Sequence, residues 1–195
     1  MNLKGKINSA LVRDYTKRSV VSHFFNNDRA IPIWAIFETL TLGEFGTLFD
    51  CASTNVKLYV SKIMKLPTNL DSDGFITKFF IFTIKDLRNA VAHNNVIFDT
   101  RFKTGKIDKR LVDLLEKEVG VSNLNFNYMD AYVIMITYFL RKMGETKTSC
   151  KQFVAAYQQQ TEYLRSELSI SVCKQILGTQ HRSNINTLQK FISKS

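Results

Sequence analysis

Arg88, Asn89 and His93 stand together in the segment LRNAVAHNN, residues 87–95. An imidazole with an ordinary pKa of ~6.5 takes or gives a proton near neutral pH. A guanidinium offers a planar fork of donors to a phosphate and to the charge that builds on it in a transition state. Asn89 can orient the imidazole or donate to a phosphate oxygen. The set suits RNA cleavage without a metal, the nucleophile being the substrate's own ribose 2′-OH. The same residues also suit a helix that ends in solvent, where polar side chains cap and hydrate the last turn. Spacing alone leaves both readings open.

The element that must position them is the stretch from Asp73 to Phe98. Phe75, Phe79, Phe82 and Asp86 recur at helical intervals, as do Ile76, Phe80, Ile84 and Leu87. Apolar residues cover most of the circumference, so this helix is predicted to be central in the fold. Asn89 and His93 are four apart on one face, with Asp86 one turn earlier. Arg88 and His93 are five apart, about 140° around the axis and about 7.5 Å along it, within reach of an arginine side chain. Asn94 and Asn95 suit a helix C-terminus, where Asn tolerates the left-handed conformation. Asp71 or Asp73 is placed to cap the start. Residues 99–110 then bring Arg101, Lys103, Lys106, Lys109 and Arg110. Beside the motif they read as a phosphate-gripping loop, or as a solvated connection.

The remaining elements are read from apolar spacing. Residues 7–25 read as one amphipathic helix through Ile7, Leu11, Val12, Tyr15, Val20 and Phe24. Residues 31–51 give one or two helices, with Pro32 at a first turn and Trp34, Phe37, Leu40, Phe45, Leu48 and Phe49 as core. Thr41–Glu44 reads as a break and a new cap, with Glu38 and Glu44 solvated or paired. Residues 54–65 place Val56, Tyr59, Val60 and Ile63 inward. Residues 108–119 form a helix through Leu111, Leu114, Leu115 and Val119, closed by Gly120. Residues 128–143 form the second buried helix, capped by Asp130 and packed on the central one. Residues 147–168 form a longer one, with Phe153, Tyr157, Tyr163 and Leu164 on one side, and 171–177 and 184–193 close the chain. His23 is read as structural and His181 as exposed.

Composition bounds the class. The chain has 195 residues, 45% hydrophobic, with two prolines and eight glycines. That is enough apolar content for one domain with a real core, and too little Pro and Gly for a many-turned β architecture. A net charge of +10 and a pI near 9.6 favour a polyanionic partner, nucleic acid before an anionic membrane. Cys51, Cys150 and Cys173 form no metal pattern, and with no secretory signal at the start they point to a reducing cytoplasm. The longest apolar run, 131–140, is too short to span a bilayer. No P-loop, GxGxxG, repeat or metal-spaced histidine pair occurs.

Two motifs carry a resemblance. R-N-x-x-x-H, formed by Arg88, Asn89 and His93, is similar to the signature of the HEPN superfamily. Residues 31–49, IPIWAIFETLTLGEFGTLF, and then LRNAVAHNN resemble the paired segments LPIWVLIEELSFGELSKLY and LRNICAHH of bacterial abortive-infection proteins of the AbiD/AbiF type. The similarity runs from about Tyr15 to Phe102. Two departures stand out. The family often has a second histidine followed shortly by an arginine, where this chain has Asn94 and Asn95 and its next arginine is Arg101. Typical members also carry many more residues ahead of the Pro-Ile-Trp segment.

The resemblance implies an all-α, HEPN-like helical bundle spanning 1–195 as one domain, with its core at about 7–145 and the helices of 147–195 packed on it. It implies a two-fold homodimer whose paired motifs form one composite site, and a metal-independent endoribonuclease toxin without a cofactor. Arg88, His93 and Asn89 would be catalytic, and Asn94, Arg101, Lys103, Lys106, Lys109 and Arg110 would contact RNA. The partners would be substrate RNA and a small non-coding antitoxin RNA, with no membrane. Some HEPN domains have lost catalysis, so a non-catalytic module for a regulatory RNA, and a protein-interaction partner, are the competing readings.

Overall fold

The computed structural model describes residues 3–194, which form eleven α-helices and no β-strand. The chain is an all-α bundle. Its most deeply buried element is α8, Met129–Lys142, in which Tyr132, Ile134, Met135, Tyr138 and Phe139 are shut off from solvent. Against it lies α6, Ile76–Ala92, and the Phe80 and Phe139 rings stack with centroids 3.9 Å apart. The helix α6 also touches α4 (Leu42–Cys51), α5 (Thr54–Ile63) and α7 (Lys109–Val119). It is central, as its all-round apolar pattern predicts. The helix α7 buries Leu111, Leu114, Leu115 and Val119, and Gly120 closes it in the left-handed region at φ 86°. From the C-terminal side α9 (Lys147–Glu167) and α11 (His181–Lys194) complete the same apolar cluster with Cys150, Val154, Ile185, Leu188 and Ile192.

The N-terminal helices depart from their sequence reading in instructive ways. The stretch 7–25 is two helices, α1 (Leu3–Asp14) and α2 (Ser19–Asn26). Asp14 makes the break: its carboxylate takes Arg13 and Arg18, and its carbonyl takes the N–H groups of Lys17 and Arg18. Val12 and Tyr15 consequently face out, and Val21 is the buried residue of α2. Two helices do occupy 31–51. Pro32 is the N-cap of α3 (Ile33–Thr39), and α4 opens on a capping box between Thr41 and Glu44. Glu44 is paired, with Arg13 Nη1 at 2.9 Å.

Trp34, Phe37 and Phe45 are not core: Trp34 is 51% exposed, and the other two are surface residues. The reason is close approach through small residues. Ala35 and Thr39 are the buried residues of α3, and Gly46 brings α4 so near α6 that a Cβ there would meet Ile81 and Phe82 at 3.0 Å. The phase of α5 is also reversed, with Lys57 (6% exposed) and Ser61 inward and Val56, Tyr59 and Ile63 outward. Gly74, at φ 72°, lies against the backbone of Lys57, where a Cβ on the glycine would come within 2.6 Å. Lys57 is satisfied there by the Asp50 carbonyl at 2.7 Å and by the Phe75 ring beneath its Nζ at 4.3 Å.

In the C-terminal part, α9 turns Cys150, Val154 and Thr161 inward and leaves Phe153 and Tyr163 exposed. Asp130 does not cap α8. It is buried and accepts from Asn184 Nδ2 at 2.6 Å, tying α8 to α11. His181 is the first residue of α11 and is 2% exposed, against its reading as a surface residue.

Candidate functional site

Both ends of α6 are anchored by polar residues close in sequence. At the start, Asp71 Oδ1 accepts from Ile76 N at 2.9 Å and Asp73 Oδ1 from Phe75 N at 3.1 Å. At the end, His93 is the C-cap and Asn94 lies in the left-handed region at φ 52°. Asn94 N donates to the Val91 carbonyl at 3.1 Å and Asn95 N to the Ala90 carbonyl at 2.9 Å. That pair of bonds is a Schellman cap. The cap satisfies the last carbonyls through the backbone, so no motif side chain is needed for it.

The side chains of Arg88 and His93 are therefore open to solvent on the last turns of a helix packed against α4, α5, α7 and α8. Arg88 Nη1 donates to Asn89 Oδ1 at 3.2 Å. Asn89 thus steadies the guanidinium, and the His93 ring has no hydrogen-bond partner among the described residues. Leu87 and Ala90 face the core on the opposite side. Val91, Val96 and Phe98, beside the motif, are exposed apolar residues.

The basic residues of 99–110 divide into two groups. Arg101 folds back on Asp99 at 2.6 Å, Lys103 Nζ donates to Asn127 Oδ1 at 2.5 Å, and Lys106 is exposed. This part of the loop is fastened to the motif-bearing half of α6 by Asp86. Its Oδ2 accepts from Thr104 N at 3.0 Å and Thr104 Oγ1 at 2.7 Å, and Lys85 Nζ lies 2.8 Å from its Oδ1. Burial pushes the Asp86 carboxyl up, but Lys85 and Thr104 more than offset this, and it sits below the usual carboxylate range. Lys109 and Arg110 belong to the other end. Arg110 pairs with Asp73 at 2.5 Å and lies over the Phe79 ring at 4.8 Å. Phe79 precedes His93 by fourteen residues, about 21 Å along the helix. The structure gathers Arg88, Asn89, His93 and Asn94 with the Arg101–Lys106 loop, and sets Lys109 and Arg110 apart.

Sequence reasoning missed the Asp86–Thr104 tether and Asn127 as its neighbour's acceptor. A signal existed for the first: Asp86 is the only acid between Phe75 and Phe98. Tyr132 lies under the same region, with its hydroxyl buried and unpaired among the described residues. Burial and then the Asp86 charge raise its pKa above the ordinary tyrosine value. Among the described residues no group of three or more His, Cys, Asp or Glu side chains is placed to hold a metal ion. No helix among them is long and apolar enough to cross a membrane.

The family model of the Abi-like proteins matches residues 2–99. The match takes in the Pro-Ile-Trp segment and the whole of α6 with its cap, and it ends where the tethered loop begins. No curated protein and no solved structure matches the chain. A match over half the chain, spanning both motifs on the helices just described, places it: the chain belongs to the Abi-like protein family.

Proposed function

We propose that this Abi-like protein is a HEPN-type, metal-independent endoribonuclease, of the AbiD/AbiF kind, acting as a toxin in bacterial abortive infection or a toxin–antitoxin pair. The observation that carries the reading is the solvent-open Arg88–His93 pair at the capped end of a buried helix. A rigid helix with its backbone already satisfied can hold two side chains against a phosphate at little further entropic cost. Arg88 would bind the scissile phosphate and neutralise its growing charge. His93 would transfer a proton: off the 2′-OH as that oxygen attacks phosphorus, or onto the departing 5′-oxygen. The 2′-O–P bond forms, the P–O5′ bond breaks, and the products carry a 2′,3′-cyclic phosphate and a 5′-hydroxyl.

One histidine serves one of the two proton transfers, so a second copy of the motif suits the chemistry. The exposed Val91, Val96 and Phe98 supply apolar contact beside the site for a two-fold pair. Arg101, Lys103 and Lys106 would extend the grip along the RNA backbone. The test is induced expression in bacteria. Wild type should arrest growth, and Arg88→Ala or His93→Ala at equal soluble levels should not. Equal arrest by all three would overturn the catalytic role. With purified protein, EDTA should leave RNA cleavage intact, and its abolition by EDTA would rule out this mechanism.

One observation favours a second reading. Asn94, where relatives often have a second histidine, is engaged in the Schellman cap. A non-catalytic module that binds a small regulatory RNA would need no more than this. In that case His93→Ala keeps both toxicity and RNA affinity.

A further inference from the structure

The last three helices carry a second basic surface, built on elements other than the motif helix. Residues 147–195 hold seven lysines and arginines against two glutamates. Three of the cations come from three different helices: Arg165 from α9, Lys174 from α10 (Ile170–Leu177) and Arg182 from α11. They line one cleft of about 390 Å³, with Ile170 and Cys173 as its apolar wall. Gly178 and Thr179 form its floor-side turn, where α10 ends and α11 begins. Gly178 is at φ 80° and lies so close to the Tyr128 ring that a Cβ would meet it at 3.1 Å. The turn that draws the three cations together is therefore fixed by packing.

Their charge is under-compensated. Glu162 takes Arg182 in a two-point pair at 2.8 and 3.3 Å. It reaches Arg165 Nε only at 3.7 Å, and that buried Nε has no hydrogen-bond partner among the described residues. Lys174 is exposed and has no acidic partner among them. A second feature points the same way. His181, at the first position of α11, gives Nε2 a partner in Thr161 Oγ1 at 3.2 Å, while its buried Nδ1 has none. It lines a notch of about 80 Å³ that shares Arg182 with the cleft. The helix N-terminus beside it adds unpaired N–H groups and the positive end of a dipole.

A cleft of this size admits one nucleotide-sized group rather than a duplex. Three cations and an exposed isoleucine in one lining fit a phosphate joined to an apolar-faced ring. We propose that the α9–α10–α11 cleft binds the phosphate of a single nucleotide unit, with Arg165, Lys174 and Arg182 on the phosphate and Ile170 against the base or ribose. The site is independent of the ribonuclease reading, because none of its residues belongs to the motif or its loop.

Equilibrium binding on the full chain tests it, with inorganic phosphate, 5′-AMP, and a short single-stranded RNA with and without a 5′-phosphate. AMP and the 5′-phosphorylated RNA should bind, and both should weaken as salt rises. Lys174→Gln should lower both affinities about tenfold, the scale of one charge-assisted hydrogen bond. Lys174 has no partner to lose, so its variant reports binding without a folding effect, and an unchanged melting temperature checks this. Arg165→Gln should act in the same direction. Equal affinity for AMP and the phosphorylated RNA assigns a free nucleotide as sufficient. Much tighter binding of the RNA assigns an RNA terminus. Absence of binding by both, or equal binding by wild type and Lys174→Gln, overturns the proposal.

Discussion

Asp86 fastens the basic loop to the motif helix, and removing it should be measurable in both stability and coupling. Its side chain is 11% exposed and accepts two hydrogen bonds from Thr104 while facing Lys85. In Asp86→Ala the Thr104 donors turn to water, since Thr104 is exposed. The loss is then the net worth of hydrogen bonds to a charged group, about 1.5–3 kcal/mol. At about 2–4 °C per kcal/mol for a chain of this size, the melting temperature should fall by roughly 3–12 °C. Asp86→Asn keeps a neutral acceptor and should lose about half as much. Thr104→Ala keeps the backbone bond and should cost about 1 kcal/mol. The double variant should fall short of additivity by about 1 kcal/mol, because both changes remove the same bond.

The pH dependence of this tether has a definite sign. The folded pKa of Asp86 lies below its unfolded value, so the folded state binds fewer protons in the interval between them. The stability it contributes is present above about pH 4 and is lost as pH falls through the folded pKa. The gap between wild type and Asp86→Asn should therefore narrow in acid. Thermal melts at neutral and acid pH on wild type and the four variants decide the matter. A melting temperature of Asp86→Ala within about 1 °C of wild type, or strict additivity with Thr104→Ala, would refute the reasoning.

Two further outcomes follow from buried or strained positions. Burial, and after it the Arg165 charge, hold His181 at a pKa of about 4, against an ordinary 6.5. Between these values the unfolded chain takes up a proton that the folded chain refuses, so stability should fall as pH drops through that window, by at most about 3 kcal/mol. His181→Gln should flatten this part of the stability–pH curve in denaturant titrations. At the C-cap, Asn94→Gly should leave the melting temperature within about 2 °C of wild type, since Gly accepts a positive φ freely. Asn94→Val should cost about 1–2 kcal/mol at the same position, read by the same melts.

What was legible in the sequence was local. The leucine stripe of α7 and its closing Gly120, the Thr41–Glu44 cap, the aspartates before α6 and the Asn94–Asn95 cap after it all depend on residues a few positions apart. Their geometry follows from helix periodicity and from unpaired backbone groups at helix ends. The Arg88–Asn89–His93 motif belongs here too, since one helix end presents all three. Tertiary structure alone decided which side of a helix faces in. On α5 Lys57 and Ser61 face in, with the Gly74 turn seated on Lys57, while Val56, Tyr59 and Ile63 face out. On α3 and α4 the small residues Ala35 and Gly46 took the contacts and left Trp34, Phe37 and Phe45 at the surface. Asp86 with Thr104, Asp130 with Asn184, and His181 with Thr161 join residues 18 to 54 positions apart. Such pairs depend on where two distant backbones come to rest, and a side chain's chemical type does not say whether a distant partner will be close enough to satisfy it.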